Sequence, residues 1–221
     1  MLSELRFESY LSYCPRKYWP ADPSRAMASA EEWMKAIKTG TRAGPEGRNP
    51  YQVIAERMQE DAAVSDVGAL FRTLVPSVLV PVPSSSLPPR EPYFWPGREL
   101  AKALVARGFG RKALALLERR VAQEKASMGG PRNAFVHRDS LAVMERIPPR
   151  ASILLVDDII TSGSQMMGAA LALAGAYPDV GEIRCFAAMR TLTPPDPFET
   201  IRSPVTGVIT LQPNGACRRR P

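Results

Sequence analysis

The segment 153–165, ILLVDDIITSGSQ, constrains the fold more than any other part of the chain. Its first four residues are apolar and two of them are β-branched, which is typical of a buried parallel strand. Two adjacent carboxylates, Asp157 and Asp158, follow, and a turn of small residues, 161–164, leads into a helix-like run, 166–176. A strand, a small-residue turn and a helix in this order indicate an α/β sheet.

The turn 161–164 predicts an anion site. Gly163 allows another group to approach the main chain closely, and unpaired amides at a helix N-terminus attract negative charge. Carboxylates at the end of a strand lie in the crevice where open α/β sheets bind ligands. Paired carboxylates beside such a turn suit a sugar with vicinal hydroxyls or a metal-bound phosphate ester, and together they imply a ribose 5-phosphate. Alternatively, the two aspartates only begin a turn and the hydroxyls cap a helix.

The segment 153–165 resembles the phosphoribosyl-diphosphate (PRPP) binding motif of type I phosphoribosyltransferases. This resemblance implies an α/β fold, a parallel sheet flanked by helices. It places Asp157 and Asp158 on the ribose 2′- and 3′-hydroxyls, where they meet Mg²⁺ indirectly through Mg-PRPP. The residues that it places around the 5′-phosphate are Thr161, Ser162, Gly163, Ser164 and Gln165.

A second informative segment, 78–83, is apolar and β-branched but contains two prolines. A central strand accepts proline badly, so a strand that stops abruptly at a ligand explains the pattern better. In type I phosphoribosyltransferases the first core strand ends in the loop that binds pyrophosphate. The resemblance therefore implies that Pro83, Ser84 and Ser85 line that pocket, and a proline- and serine-rich loop without a ligand is the alternative.

Residues 97–108 predict a short amphipathic helix that ends at a glycine. Here the chain resembles the ComF branch of the family, whose first core strand is followed by an arginine and a helix of this type. Arg98 is therefore a candidate phosphate ligand, with an ordinary surface arginine as the alternative. The cysteine clusters that give ComF proteins a zinc ribbon are missing, so the role of ComF in DNA uptake does not carry over.

The segment 118–133 is polar, strongly cationic and rich in glycine near its end. It occupies the place of the mobile loop that closes over PRPP in type I enzymes and excludes water. We expect Arg120 and Lys125 to act on the pyrophosphate, and Arg119 and Arg132 are further cations that could reach it. A solvated helix face would explain each of these residues singly.

The family reaction replaces the pyrophosphate at C1 of PRPP by a nitrogen nucleophile, through an oxocarbenium-like state and with Mg²⁺ as cofactor. Hypoxanthine–guanine enzymes carry an aspartate at the place of Thr161, where it serves the purine as an acid and base. A threonine hydroxyl cannot titrate usefully at neutral pH, so a 6-oxopurine acceptor is disfavoured. The acceptor is expected to be a small nitrogenous base or amine that the sequence does not identify.

Three regions are predicted. Residues 1–75 form a mostly helical, aromatic-rich elaboration, residues 76–190 the phosphoribosyltransferase-like core, and residues 191–221 a C-terminal strand with a basic, solvated tail. Either end could supply the hood that selects the acceptor. Residues 28–38 predict a helix, and 51–73 predict one or two helices with a break near 65–68. The further predicted strands are 112–117, 140–143, which is expected to return to the main sheet, 182–189 and 206–211.

The net charge of +7 suits a polyanion such as PRPP and leaves room for nucleic acid. Aromatic and basic residues at 7–19 could stack bases, although a packed aromatic edge is the alternative. No apolar run approaches a membrane span or a signal core, so we expect a cytoplasmic protein. Three scattered cysteines favour neither a disulfide framework nor a zinc site. A pentosyl-transferring enzyme and a non-catalytic PRPP-sensing regulator are the two functional hypotheses, and a homodimer would fit the family.

Overall fold

The computed structural model describes residues 2–44, 47–72, 77–85, 94–123, 132–144, 151–194 and 196–221. In chain order its elements are strand β1 (Glu4–Tyr13), helices α1 (Arg25–Thr39) and α2 (Pro50–Ala62), strand β2 (Val78–Pro81), helix α3 (Pro96–Ala106), strands β3 (Lys112–Ala113) and β4 (Leu117–Arg119), helix α4 (Ala134–Asp139), strands β5 (Leu141–Val143) and β6 (Ser152–Ile160), helix α5 (Ser164–Ala176), and strands β7 (Glu182–Thr191), β8 (Arg202–Leu211) and β9 (Cys217–Arg220).

The main sheet has the strand order β3-β2-β6-β7-β1-β8-β9. The strands from β3 to β1 are parallel to one another, whereas β8 is antiparallel to β1 and β9 is antiparallel to β8. The predicted α/β class with a mostly parallel sheet is therefore confirmed. Since parallel strands end at the same edge, the residues that follow β2, β6 and β7 meet in one crevice.

Helices cover both faces of the sheet, which explains the uninterrupted apolar run in β6. Ile153 and Leu155 belong to the core that α4 and α5 cover. Leu154 and Val156 belong to a second core, between the sheet and helices α1, α2 and α3. Alternate side chains of a strand point to opposite faces, so a strand that is covered on both sides needs apolar residues at every position.

Strand β1 was not predicted. The N-terminal region contains the two predicted helices, α1 and α2, but residues 4–13 also form a strand between β7 and β8. The strand buries polar as well as aromatic residues: Glu8 is buried and accepts hydrogen bonds from the backbone amides of Gly68 at 2.6 Å and Leu70 at 3.4 Å. Residues 4–8 alternate polar and apolar, but the following residues are buried at successive positions and do not alternate, and the partners of Glu8 lie about sixty residues away in the sequence.

The aromatic side chains at 7–13 serve the core. Phe7 and Tyr10 are both buried, each on a different face of the sheet. For these two residues the packed aromatic alternative is confirmed, because a buried ring cannot stack on a base. The predicted boundaries at 75 and 190 stay predictions, although β1, β8 and β9 are continuous with the core sheet.

The C-terminal arginines do not form the solvated tail that the sequence predicted. Arg218, Arg219 and Arg220 lie in β9, where they pair with Thr210, Ile209 and Val208 of β8. Arg218 and Arg220 are exposed, but Arg219 is only partly so. A run of like charges can therefore form an edge strand when alternate members point in opposite directions.

Two other strand predictions need correction. Strand β5 was expected to return to the main sheet, but it pairs with β4 in a separate antiparallel ladder. Residues 112–117, predicted as one strand, contribute to two, because β3 joins the main sheet and β4 leaves it. In the described part of the chain no helix is both long and apolar enough to cross a membrane.

Gly207 of β8 has no side chain, which allows the strand to pack closely against Arg220 and Phe7. A Cβ atom there would overlap the carbonyl oxygen of Arg220 and lie 2.7 Å from the ring of Phe7. We expect Gly207→Ala to lower the free energy of unfolding by about 1–3 kcal/mol, as overpacking does. Thermal and denaturant unfolding would measure this loss.

Gly175→Ala is the matched control. Gly175 lies in α5 with nothing within 4 Å of its Cβ position, so alanine should stabilise the helix by about 0.5–1 kcal/mol. Equal effects of the two substitutions would contradict the close approach at Gly207.

Candidate functional site

The acidic pair lies in the C-terminal half of β6, which ends at Ile160. Asp157 is only 8% exposed. One of its carboxylate oxygens accepts a hydrogen bond from the backbone amide of Asp158 at 2.9 Å, and the other accepts one from Nε2 of Gln165 at 3.2 Å. Asp158 is partly buried, and its Oδ2 lies 3.4 Å from Nζ of Lys38. The pair therefore sits in the crevice with its carboxylates already in contact with polar groups.

The pair carries an electrostatic cost. Burial raises the pKa of Asp157 well above its ordinary value, and the neighbouring Asp158 carboxylate raises it further. The amide of Asp158 and the charge of Lys38 act in the opposite direction. A buried acid whose pKa is raised in a crevice makes Asp157 a candidate functional residue, because a neutral side chain would be more stable at this position.

Lys38 is a site residue that the sequence did not reveal. It lies in the last turn of α1, and Gly40 ends this helix in a left-handed conformation. Although burial lowers its pKa, the charges of Asp158 and Asp157 raise it on balance. The lysine lies 120 residues before its partner in the sequence. Only the packing of α1 on the sheet brings the two together, so no local signal could have identified it.

The turn from β6 to α5, predicted as an anion site, holds Gly163 in a conformation that favours glycine. Gly163 adopts φ 85°, and a Cβ atom there would lie 2.7 Å from the side chain of Ile209. Glycine is therefore required at this position for two independent reasons. Gly163 is also the cap residue of α5 and has no side chain that could cap the first amides, while the amide of Ser164 donates to Oγ of Ser162 at 3.5 Å. The hydroxyl oxygens of Ser162 and Ser164 lie 3.0 Å apart beside these amides.

Gln165 connects the acidic pair to the loop after β2. Its Nε2 donates to the carbonyl oxygen of Pro83 at 3.1 Å and to Oδ2 of Asp157 at 3.2 Å. The sequence placed Gln165 around the phosphate, whereas its side chain lies between the two predicted ligand-binding segments. The predicted pyrophosphate loop and the predicted ribose site are thus neighbours.

Arg119 holds the loop after β2 from the other side. Its Nε donates to the carbonyl oxygen of Ser84 at 2.9 Å, its Nη2 to that of Pro83 at 3.2 Å, and its Nη1 to the hydroxyl of Ser140. The side chain is 3% exposed, and burial lowers its pKa while Asp157 opposes that effect. All three nitrogens of the guanidinium are engaged, so Arg119 positions the loop and is poorly placed to reach pyrophosphate.

The other predicted cations that the structure describes lie at the surface. Arg98 is exposed in the first turn of α3. This turn adjoins the loop after β2, since Nε1 of Trp95 donates to the carbonyl oxygen of Val82 at 2.9 Å. Arg120 is exposed and forms an ion pair with Glu118 at 3.3 Å, and Lys125 lies outside the described residues. The roles of Arg98, Arg120 and Lys125 stay predictions.

The third residue of the predicted pyrophosphate loop touches the start of the cationic segment. The carbonyl oxygen of Ser85 accepts a hydrogen bond from the amide of Gln123 at 2.7 Å. The chain therefore enters the predicted mobile segment directly beside the loop after β2.

A pocket of about 250 Å³ opens on the far side of the turn, beside Thr161 and Ser162. Hydroxyl oxygens of Thr161 and Thr191 lie 3.3 Å apart at its edge. The charged residues that line this arginine pocket are Arg132, Arg190, Asp196, Arg218 and Arg219. The sequence did not predict the pocket, because these residues come from separate elements that meet only through the pairing of β7, β1, β8 and β9.

No protein-family model and no curated protein matches the sequence. Among solved structures the chain is similar to a hypoxanthine phosphoribosyltransferase from Staphylococcus aureus, with 7% identity, a TM-score of 0.40, and coverage of 65% of this chain and 75% of that chain. It is also similar to the hypoxanthine phosphoribosyltransferase of Trypanosoma cruzi, with 15% identity, a TM-score of 0.34 and coverage of 77% and 71%. For a purine phosphoribosyltransferase from Pyrococcus horikoshii the values are 14%, 0.29, and 66% and 95%. Such likeness concerns the arrangement of helices and strands alone.

The buried carboxylate at 157 should lower stability at neutral pH. Its folded-state pKa is raised, so protonated Asp157 favours the folded state, and this contribution is lost as the pH rises from about 4 through the raised pKa. We expect Asp157→Asn to raise the melting temperature by about 2 °C or more at pH 7. The gain should shrink as the pH falls towards 4, where Asp157 is protonated in the folded state and about half protonated in the unfolded state.

Thermal unfolding of both proteins between pH 4 and 8 measures the difference. Asp66→Asn is the control, because the side chain of Asp66 is fully exposed and should give no such pH-dependent gain. A melting temperature that is lower for Asp157→Asn at every pH would show that the charge at 157 is stabilising.

Lys38 should be coupled energetically to the acidic pair. Lys38→Gln removes a positive charge beside two neighbouring carboxylates, so it should destabilise the protein. The destabilisation should be smaller in the Asp157→Asn background, where one of the two carboxylates is absent. A double-mutant cycle from denaturant unfolding at pH 7 should give a coupling of about 0.5 kcal/mol or more. Lys35→Gln, on the same helix but paired with Glu31, should show no coupling with Asp157, and strict additivity for Lys38 would refute its role.

Proposed function

We propose that the chain binds PRPP with Mg²⁺ and transfers its phosphoribosyl group to a small nitrogenous acceptor, with release of pyrophosphate. One observation carries this proposal: Gln165 bridges the loop after β2 and the acidic pair of β6, with contacts of 3.1 and 3.2 Å. The anion-binding turn follows the same strand. Three segments that the sequence assigned to three parts of one ligand thus adjoin in one crevice.

Each part of PRPP has a matching chemical environment in the proposal. The 5′-phosphate binds at the turn 161–164, where amides of α5 and the hydroxyls of Ser162 and Ser164 supply donors. The ribose hydroxyls donate to Asp157 and Asp158. The pyrophosphate lies along Pro83, Ser84 and Ser85, with Arg98, Arg120 and Lys125 as its cations.

The carboxylates of Asp157 and Asp158 suit a Mg²⁺ ion that is bound mainly by PRPP. Mg²⁺ prefers oxygen ligands and keeps several of its waters, so a carboxylate pair beside a polyphosphate is a suitable environment. Within the described ranges no cluster of three or more His, Cys, Asp or Glu side chains could hold a metal ion. The ion would therefore arrive with PRPP and would neutralise charge on its pyrophosphate and ribose oxygens.

The residues of the site would act by position and charge. The nitrogen lone pair of the acceptor forms the new bond to C1 as the bond from C1 to the pyrophosphate oxygen breaks, and the pyrophosphate leaves with that electron pair. Any proton on the attacking nitrogen passes to solvent. Asp157 and Asp158 stabilise the positive charge that develops on the ribose, and cations near the loop after β2 stabilise the leaving group. No covalent nucleophile of the protein is required.

We further propose that the chain is most similar to the ComF-like branch but lacks its zinc ribbon, and the position of Arg98 at the start of α3 supports this. The homodimer stays a prediction from the family resemblance, and nucleic acid stays a prediction from the charge of +7 and the aromatic and basic residues at 7–19.

Calorimetric titration with PRPP, with and without Mg²⁺, tests the proposal, together with pyrophosphate release over a panel of bases and amines. Release with one acceptor would establish the enzyme. Binding without release for any acceptor would favour the PRPP-sensing regulator, and absence of binding would refute both.

Asp157→Asn and Asp158→Asn should each weaken PRPP binding about tenfold or more, because each replaces a carboxylate oxygen, an acceptor for a ribose hydroxyl, by an amide nitrogen that only donates. For Asp157→Asn this loss should accompany a higher melting temperature, which separates the binding effect from unfolding. Asp66→Asn serves again as the control, and unchanged affinity in both site variants would refute the assignment of the ribose.

A further inference from the structure

The arginine pocket contains two guanidinium groups that neutral partners hold in place. Nη1 of Arg219 donates to the carbonyl oxygen of Ile160 at 3.3 Å, and its Nη2 donates to that of Thr191 at 2.6 Å. Arg190 donates to the carbonyl oxygen of Ser203 and, at 2.8 Å, to its hydroxyl. These contacts fix the orientation of both side chains but add no negative charge, and the acidic residue among the pocket lining is the exposed Asp196.

The positive charges of Arg190 and Arg219 repel each other. Burial and the charge of Arg190, with Asp196 acting in the opposite direction, together lower the pKa of Arg219 to about 10. Burial also lowers the pKa of Arg190. Both groups still carry a proton at neutral pH, and Asp196 is exposed, so solvent screens its effect. Two like charges in a partly buried pocket are unfavourable, and a bound anion would relieve that cost.

The pocket adjoins the predicted site of the reaction. Thr161 and Ser162, which precede the glycine of the anion-binding turn, form part of its wall. Thr161 stands where hypoxanthine–guanine enzymes carry an aspartate that serves the purine. A neutral hydroxyl at this place does not repel an anion, whereas an aspartate would.

The size and the lining of the arginine pocket limit the kind of ligand that it can bind. Ligand pockets for drug-sized molecules measure about 300–1,000 Å³, so a volume of about 250 Å³ suits a single ring with one substituent. The partly exposed Val205 supplies an apolar part of the wall, whereas Phe7 is buried, with the guanidinium of Arg219 at 5.8 Å from its ring centre. A flat ring with a negatively charged substituent would match both the apolar and the cationic parts. Guanidinium groups bind planar carboxylates through paired, parallel hydrogen bonds.

We propose that the arginine pocket binds the acceptor, and that the acceptor is a small nitrogen compound that carries a carboxylate, held by Arg190 and Arg219. This inference rests on the proposed function, because it assigns the second substrate of the same reaction. The carboxylate takes no part in bond making: it orients the ring so that its nitrogen faces C1 of PRPP across Thr161.

Matched pairs of probes test the charge requirement. Nicotinate is compared with nicotinamide, and orotate with uracil, by ligand-observed NMR titration of the full chain with ribose 5-phosphate and Mg²⁺ present. Each acid should bind at least about tenfold more tightly than its neutral partner. Equal affinities within both pairs, or binding of neither acid, would overturn the inference.

Variants of the arginines test the location. Arg219→Met and Arg190→Met should weaken binding of the acids about 10- to 100-fold and leave the affinity for PRPP within about twofold. Arg219→Lys, which keeps the charge but loses the paired donors, should retain part of the affinity. Arg220→Met is the matched control, since Arg220 is the next residue of β9, is exposed and lies outside the pocket lining.

The two proposals can fail separately. If Arg219→Met weakens PRPP binding as much as acid binding, the arginines serve a phosphate of PRPP and the acceptor assignment is wrong. If the acids bind through the arginines but the wild-type chain does not bind PRPP, the carboxylate pocket is supported and the proposed transfer reaction is refuted. If PRPP binds but no acid does, the pocket inference alone is refuted.

Discussion

The burial of Asp157 in the carboxyl end of β6 is the constraint on which the rest of the site depends. Helices cover both faces of this strand, so the carboxylate leaves water and its pKa rises. Two compensations follow: Gln165 donates to the carboxylate from α5, and Lys38 approaches its neighbour from α1. Because Gln165 also binds the carbonyl of Pro83, the contact that satisfies the buried charge aligns the loop after β2. The electrostatic cost and the geometry of the crevice therefore have one origin.

The parts of this arrangement that depend on local physics could be predicted from the sequence. The strand, the glycine turn and helix α5 are encoded within 153–176, where apolar run, small residues and helical run follow directly. Strand β1 could not be predicted, because Glu8 is satisfied by amides at Gly68 and Leu70 and thus hides the burial of its strand. Lys38 could not be predicted for the same reason, since what identifies it is its contact with Asp158, 120 residues later in the sequence.

The arginines of β9 illustrate a second limit. A charged run at the end of a chain suggests solvation when only its composition is considered, but pairing with β8 turns alternate side chains in opposite directions. Arg219 then reaches the carbonyl oxygens at the ends of β6 and β7, while Arg218 and Arg220 remain exposed. The first and last regions of the chain thus each bring one cation to the crevice, Lys38 on the acidic side and Arg219 on the far side of the turn.

This division of charge limits what the crevice can bind. The acidic pair favours hydroxyl donors and cationic character, whereas the arginine pocket favours an anion, and the uncharged turn with Thr161 separates them. Cys217, in the pocket wall, does not alter this balance, because burial raises its pKa to about 11 and keeps it a neutral thiol at physiological pH. A single uncharged ligand would leave both ends unsatisfied. Two ligands that react across the turn, one presenting hydroxyls to Asp157 and Asp158 and one presenting a carboxylate to Arg190 and Arg219, satisfy both.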